Sequence, residues 1–136
     1  MKKLLLLAAL LAFPALAQDA STTSFWAIQH QPAAATAATI SQAADTNGRH
    51  VARFITICLS AVAAQTTLVY NLRDGASGAG TIVWSARLAG TAGAGHCITA
   101  EVRIIGTKNT AMTLESAAAP AATNFATVSL NGYTSY

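Results

Sequence analysis

The sequence predicts an all-β protein: a single antiparallel β-sandwich or jelly-roll-like domain of about eight strands that follows a signal peptide. Three observations support this prediction. Apolar and polar residues alternate with a period of two from about residue 51 onward, and glycine-rich turns separate the alternating segments. The chain is also long enough for one hydrophobic core and too short for two.

Residues 1–17 have the pattern of a cleavable secretory signal. Lys2 and Lys3 precede an apolar run of about ten residues, a proline interrupts it, and residues 15–17 form a small-x-small cleavage site. A bilayer-spanning helix needs about twenty apolar residues, so a cleaved signal is favoured over a retained anchor. We expect an exported product that begins at Gln18, is periplasmic, cell-surface or extracellular, and has no membrane span.

The expected mature chain consists of an N-terminal extension over residues 18–35 and a β-sandwich domain over residues 36–136. The full chain has eight Lys and Arg against five Asp and Glu, but Lys2 and Lys3 belong to the predicted signal. Six basic residues therefore remain against five acidic ones, which argues against a nucleic-acid partner. Few charges and abundant Ala and Thr favour a subunit that packs against neighbours.

Alternation predicts the individual strands. Three consecutive segments have one apolar side and one side of Thr, Ser, Asn or Arg, which predicts an antiparallel sheet covered on one face only. In the second of these, Ile82, Trp84, Ala86 and Leu88 are expected on one face. The strong segments are 53–59, 67–74, 81–88, 98–104, 112–115 and 125–130, and Asn131-Gly132 closes the last one. The weaker candidates are 25–29 and 36–42. Residues 33–44 are rich in alanine and also suit a helix.

Cys58 and Cys97 are the two cysteines, and each lies opposite the Ile, Leu and Val face of its own segment. Export would place them in an oxidising compartment, where such a pair is usually bridged. A bridge across this separation would stabilise the fold by about 4 kcal/mol in the chain-entropy account. The alternative is two separate thiols that pack as small apolar residues.

The remaining polar residues do not form a recognisable catalytic or metal-binding motif. His30, His50 and His96 lack the short spacing of metal ligands, and their ordinary interpretation is surface or loop-edge histidine. There is no Gly-x-Ser-x-Gly elbow, and the acids are scattered singly. The glycines over residues 75–80 join two strands, so no helix N-terminus follows to hold a phosphate. We expect no enzyme activity, no cofactor and no metal.

Aromatic residues near the two ends of the mature chain are the remaining candidates for partner contact. Aromatic rings beside loops stack on sugars or anchor a protein partner. End-packing is an equally good interpretation of the same residues. The candidates are Phe25, Trp26, Tyr133 and Tyr136.

Three runs resemble small β-sandwich structural proteins of tailed bacteriophages, such as head-decoration or tail-associated subunits. They are NLRDGASGAGTIVW at 71–84, NTAMTLE at 109–115 and VSLNGY at 128–133, within a similarity over about residues 36–134. The resemblance implies a non-enzymatic virion subunit without catalytic residues. Phage capsids assemble in the cytoplasm, so the predicted signal peptide implies instead a domain recruited to the periplasm or cell surface, or an exported variant with another task.

The resulting hypothesis is a non-enzymatic, exported, phage-virion-like structural or assembly protein. It would act by self-association or by docking to another surface or virion protein, through a face of low charge or a sheet edge. The rival hypothesis is a secreted carbohydrate-binding β-sandwich module that uses the terminal aromatics and the glycine-rich loops to hold a glycan.

Overall fold

A computed structural model of the chain describes residues 23–136 and contains, within that range, eight strands and no helix. The predicted all-β class is therefore confirmed, and no helix in this range could span a membrane. The predicted signal peptide lies outside the described residues. In chain order the strands are β1 (Ser24–His30), β2 (Thr39–Gln42), β3 (Arg49–Ala61), β4 (Gln65–Asp74), β5 (Thr81–Gly90), β6 (Ala94–Ile105), β7 (Met112–Ser116) and β8 (Phe125–Ser135).

The strands form two antiparallel four-stranded sheets. Sheet A has the order β1-β8-β3-β6, and sheet B has the order β2-β7-β4-β5. The sheets stack so that β1 lies beside β2 at one side of the sandwich and β5 lies beside β6 at the other. Among the described strands, β1, β2, β5 and β6 are therefore the sheet edges.

Alternating residues of the two central strands form the core between the sheets, as their spacing predicts. These side chains are almost completely buried: Ile55, Ile57 and Leu59 on β3, and Leu68, Tyr70 and Leu72 on β4. The Tyr70 hydroxyl crosses the core and donates a hydrogen bond to the Cys58 carbonyl at 2.9 Å. Burial raises the pKa of this hydroxyl, which stays a neutral donor.

The three consecutive segments that were expected in one sheet are divided between both sheets. β4 and β5 pair in sheet B, whereas β6 pairs with β3 in sheet A. A short connection crosses between the sheets, and in it Gly93 has a positive φ of 80° and its amide donates to the Ala61 carbonyl at 2.8 Å. Alternation identifies the buried face of a strand and contains no information about which sheet that face belongs to.

A bulge changes the predicted face of one residue on β5. Trp84 lies opposite Leu72 and Ile82 lies opposite Arg73, which leaves Val83 as an extra residue. Ile82 therefore does not continue the row of Trp84, and its side chain is 49% exposed.

β1 and β8 reach into segments that were predicted as an N-terminal extension and as a closing turn. The predicted extension over residues 18–35 contains β1, which pairs along its whole length with β8. At the other end β8 does not stop at Asn131-Gly132, because Gly132 pairs with Trp26 on one side and Ala52 on the other. Both strands extend through these segments because each has a neighbour in sheet A that accepts its backbone hydrogen bonds. Residues 33–44 contain β2 and no helix.

Candidate functional site

A disulfide joins Cys58 on β3 to Cys97 on β6. The two residues lie directly opposite each other in the antiparallel register, with their Cα atoms 4.1 Å apart. Their side chains lie on the outer face of sheet A, as the alternation predicts. The bridge covalently attaches the edge strand β6 to the centre of the sheet.

An aromatic patch lies on the outer face of sheet A near the end of β1. It consists of Phe25, Phe54 and Tyr133, with Arg53 and Asn131 beside them, and it borders a depression of about 460 Å³. The Phe25 and Tyr133 ring centroids are 5.9 Å apart, and the rings are tilted by 58°. Phe25 is 80% exposed and Phe54 is 41% exposed, so apolar surface here faces solvent.

The four predicted contact aromatics do not form one cluster. Phe25 and Tyr133 lie together in the aromatic patch. Trp26 borders the same depression, but its ring packs over Gly132 and lies edge-on to His50 at a centroid distance of 6.0 Å. Tyr136 donates from its hydroxyl to Asp45 at 3.0 Å, and this hydrogen bond raises the pKa of Tyr136.

Phe54 in the aromatic patch and Arg53 beside it were absent from the predicted contact residues. The signal for Phe54 was present, because it alternates with Ile55 and shares the outer face with Cys58. For Arg53 no such signal exists, since β3 has a bulge there and Arg53 lies opposite no residue of β8.

His50 is buried, which corrects its interpretation as a surface or loop-edge histidine. Its Nε2 lies 2.7 Å from the Ala43 carbonyl, which only accepts, so Nε2 carries the proton. Its Nδ1 lies 2.9 Å from the Thr134 hydroxyl. His30 and His96 are exposed, and no three His, Cys, Asp or Glu residues between positions 23 and 136 are grouped to hold a metal ion.

A polar cluster covers the outer face of β7. Alternation in the sequence predicted that this face would be exposed to solvent. Glu115 is buried and accepts hydrogen bonds from Arg73 Nε at 2.5 Å, from the Ser77 hydroxyl and from the Gly78 amide at 3.2 Å. The loop over residues 75–80 therefore folds over sheet B. Burial alone would raise the pKa of Glu115, but the hydrogen bonds from Ser77 and Arg73 and the charge of Arg73 hold that pKa below its usual value.

Two long edge strands, β5 and β6, lie side by side at one side of the core. Partly buried apolar side chains pack against the core here from both strands: Trp84 and Ala86 from β5, and Ile98, Val102 and Ile104 from β6. On the outer face of β6, Ile105 is 53% exposed, and its neighbours Glu101 and Arg103 are also exposed.

The chain matches no protein-family model, and no curated protein matches it. Among solved structures it is similar to one described as "Bacillus endospore appendages form a novel family of disulfide-linked pili", with 24% sequence identity over 85% of this chain and 88% of that chain. The TM-score is 0.33, and a similarity at this level supports no conclusion about function.

Proposed function

We propose that this chain is an exported, non-enzymatic structural subunit that assembles with copies of itself through the free edges of its sheets. The observation that carries the proposal is the pair of long edge strands, β5 and β6, beside an incompletely covered core. An edge strand presents unpaired backbone N–H and C=O groups, which are satisfied when another strand pairs with them.

The composition of these edges favours pairing. Monomeric β proteins protect their edges with very short strands, lysines, prolines or bulges. β2 is short, with four residues, whereas β5 has ten residues and β6 has twelve. Neither long strand contains lysine or proline. Each has one irregularity: β5 has a bulge at Val83, and on β6 the two residues Val102 and Arg103 lie against the single residue Arg53 of β3.

The acidic residues of the described chain are engaged in structural contacts, which supports a structural role. Asp74 accepts hydrogen bonds from the Thr107 amide at 2.9 Å and from its hydroxyl at 2.6 Å. Asp45 accepts from the Asn47 amide at 2.9 Å, Glu101 pairs with Arg53 at 3.2 Å, and Glu115 is held in the polar cluster.

Export is part of the proposal because a disulfide is stable in an oxidising compartment and residues 1–17 have the pattern of a secretory signal. Within the structural class, the resemblance to phage proteins favours a virion-like subunit. Export favours an assembly in the periplasm or on the cell surface. Both uses require the same property, which is binding between subunits.

Expression of the full chain in a bacterial host tests this proposal. Intact-mass measurement of the periplasmic product is expected to show a chain that begins at Gln18 and has lost two hydrogens to the disulfide. Light scattering coupled to size exclusion, and electron microscopy, are expected to show oligomers that grow with concentration. A monomer at high concentration would overturn the proposed self-assembly.

The aromatic patch favours a second candidate function, a carbohydrate-binding module. Sugar rings stack on exposed aromatic faces, and Arg53 and Asn131 provide hydrogen-bond donors beside Phe25 and Tyr133. Retention on immobilised polysaccharides, lost in Phe25→Ala and kept in Tyr136→Ala as an aromatic control outside the patch, would establish it. Equal retention of both variants, or none by the native protein, would reject it.

A further inference from the structure

We infer that a second copy of this chain docks on β6 by antiparallel pairing of β6 with β6, with the two-fold axis at Val102 and Glu101 opposite the partner's Arg103. The inference rests on the proposed function and specifies its contact. It follows from three features of β6: the direction of its free backbone groups, the order of its charges and the position of its exposed apolar side chains.

The free backbone groups of β6 determine which residues can pair. Residues of an antiparallel strand alternately direct their N–H and C=O toward one neighbour and then toward the other side. The Cα separation of 4.1 Å identifies Cys58 and Cys97 as a pair without backbone hydrogen bonds. Farther along, the Gly106 amide donates to the His50 carbonyl at 2.8 Å. The β3–β6 register shifts at Val102 and Arg103, and these two observations lie on opposite sides of the shift. Both give the same parity, so the odd-numbered residues of β6 from Cys97 onward direct their backbone groups to the free edge.

Symmetric pairing must then place odd-numbered residues opposite odd-numbered residues. An axis at Glu101 places two carboxylates opposite each other, and an axis at Arg103 does the same with two guanidinium groups. An axis at Ala100 leaves both charges opposite uncharged residues. The axis at Val102 places Glu101 opposite the partner's Arg103 and, by symmetry, Arg103 opposite the partner's Glu101. Charge therefore selects this register.

The contacts within the chain are compatible with this register. Glu101 accepts from Arg53 at 3.2 Å, and its carboxylate retains acceptor capacity for a second arginine. Arg103 has no ion-pair partner between residues 23 and 136. The dimer would provide one.

The apolar side chains also fit. On the inner face Val102 meets the partner's Val102, and Ala100 meets the partner's Ile104, so partly buried residues become covered. On the outer face the exposed Ile105 lies over the partner's Thr99. Sheet A then continues into sheet A of the second copy, and the β6 edge disappears.

The other edges lack this complementarity. β1, at the opposite side of sheet A, contains no Asp, Glu, Lys or Arg to match the charges of β6. β5 contains Arg87 as its one such residue, so symmetric pairing of β5 cannot place opposite charges together. β2 has four residues.

Cysteine cross-linking tests the axis directly. Both native cysteines are bridged, so Val102→Cys in the full exported chain introduces a free thiol, and the two copies of that thiol would face each other in a pair without backbone hydrogen bonds, as Cys58 and Cys97 do. Mild oxidation is expected to give a covalent dimer linked through position 102. Ala100→Cys is the matched control on the same face. Its two copies would be about four residues, or roughly 13 Å, apart and would not cross-link.

Charge exchange tests the register in a second, independent way, and remains informative if Val102→Cys fails to fold. Arg103→Glu is expected to weaken dimerisation about tenfold, because two attractive pairs become repulsive. Adding Glu101→Arg to the same chain is expected to restore the affinity to within about threefold of native.

The outcomes separate the two proposals. Oligomers that form normally, but without cross-linking at position 102 or rescue by the double exchange, would overturn the β6 contact and leave self-assembly standing. A native chain that stays monomeric would overturn both.

Discussion

At the scale of single residues, the polar cluster around Glu115 is the contact with the clearest dependence on pH. The carboxylate is buried against Arg73, Ser77 and the Gly78 amide, and it ties the loop over residues 75–80 to β7. Its pKa is lowered in the folded chain, because these partners outweigh the effect of burial. Its ionised form therefore stabilises the fold.

We expect the contribution of Glu115 to the free energy of unfolding to be complete above the ordinary glutamate pKa of about 4.3. It should be lost as the pH falls through the lower pKa of the folded state. Urea unfolding at a series of pH values measures this dependence. Glu115→Gln should lower stability at neutral pH and flatten its decline in acid. An unchanged acid limb in this variant would contradict the assigned role.

Gly132 is the residue at which the sheet tolerates least additional volume. A Cβ atom there would lie 2.1 Å from the Val51 carbonyl oxygen and 2.7 Å from the ring of Trp26. We expect Gly132→Ala to lower the free energy of unfolding by about 3 kcal/mol, because backbone and ring must both move.

Gly95→Ala is a matched control in another strand of the same sheet. Its added Cβ would lie 3.8 Å from the Leu59 carbonyl oxygen, and we expect a change within about 0.5 kcal/mol. Thermal unfolding of both variants followed by circular dichroism measures the difference, and equal melting temperatures would argue against the close contact at Gly132.

At the scale of elements, the disulfide determines how firmly the edge strand β6 is held. β6 has β3 as its one neighbour in sheet A, and its inward side chains are incompletely covered. Residues 59–96 lie in the loop that the bridge closes, and closing a loop of that length removes conformational freedom from the unfolded chain.

We expect the double variant Cys58→Ser, Cys97→Ser to be less stable by about 4 kcal/mol. Calorimetry of the native protein with and without a reducing agent should give the same difference as the double variant. If reduction leaves the melting temperature unchanged, the bridge does not stabilise the fold in this way.

The position of each strongly alternating strand could be predicted from the sequence, but the strand that it pairs with in the sheet could not. β3 to β8 were all predicted, because a strand with one buried face must alternate, although β3, β6 and β8 extend four or five residues beyond a predicted end. β1 was only a weak candidate, because its burial depends on pairing with β8, which lies about a hundred residues away. Phe25 and Phe54 come together only through this pairing, with β8 between their strands.

At the scale of the whole molecule, the apolar core holds the two sheets together, and within residues 23–136 the Tyr70 hydroxyl also makes a hydrogen bond across that core. Tyr70 on sheet B donates to the Cys58 carbonyl on sheet A. The Cys58 backbone also faces Thr127 of β8, so Tyr70→Phe removes one hydrogen bond of that carbonyl and keeps its place in the sheet.

We expect Tyr70→Phe to lower the free energy of unfolding by about 1 kcal/mol, the usual contribution of one intramolecular hydrogen bond, measured by urea denaturation. Tyr133→Phe is the control, because its hydroxyl makes no hydrogen bond within the described residues, and its stability should match the native protein. A Tyr70→Phe protein as stable as this control would show that the inter-sheet hydrogen bond adds nothing.

The sequence by itself determined the all-β class, most of the strands, their buried faces and the side of the sheet on which both cysteines lie. These properties are local, since each follows from which face of a strand is apolar. Tertiary structure alone decided that β5 and β6 belong to different sheets, that Glu115 and His50 are buried, and that β6 is a free edge. These properties depend on which strand or loop lies alongside another, and alternation is the same whichever neighbour a strand has.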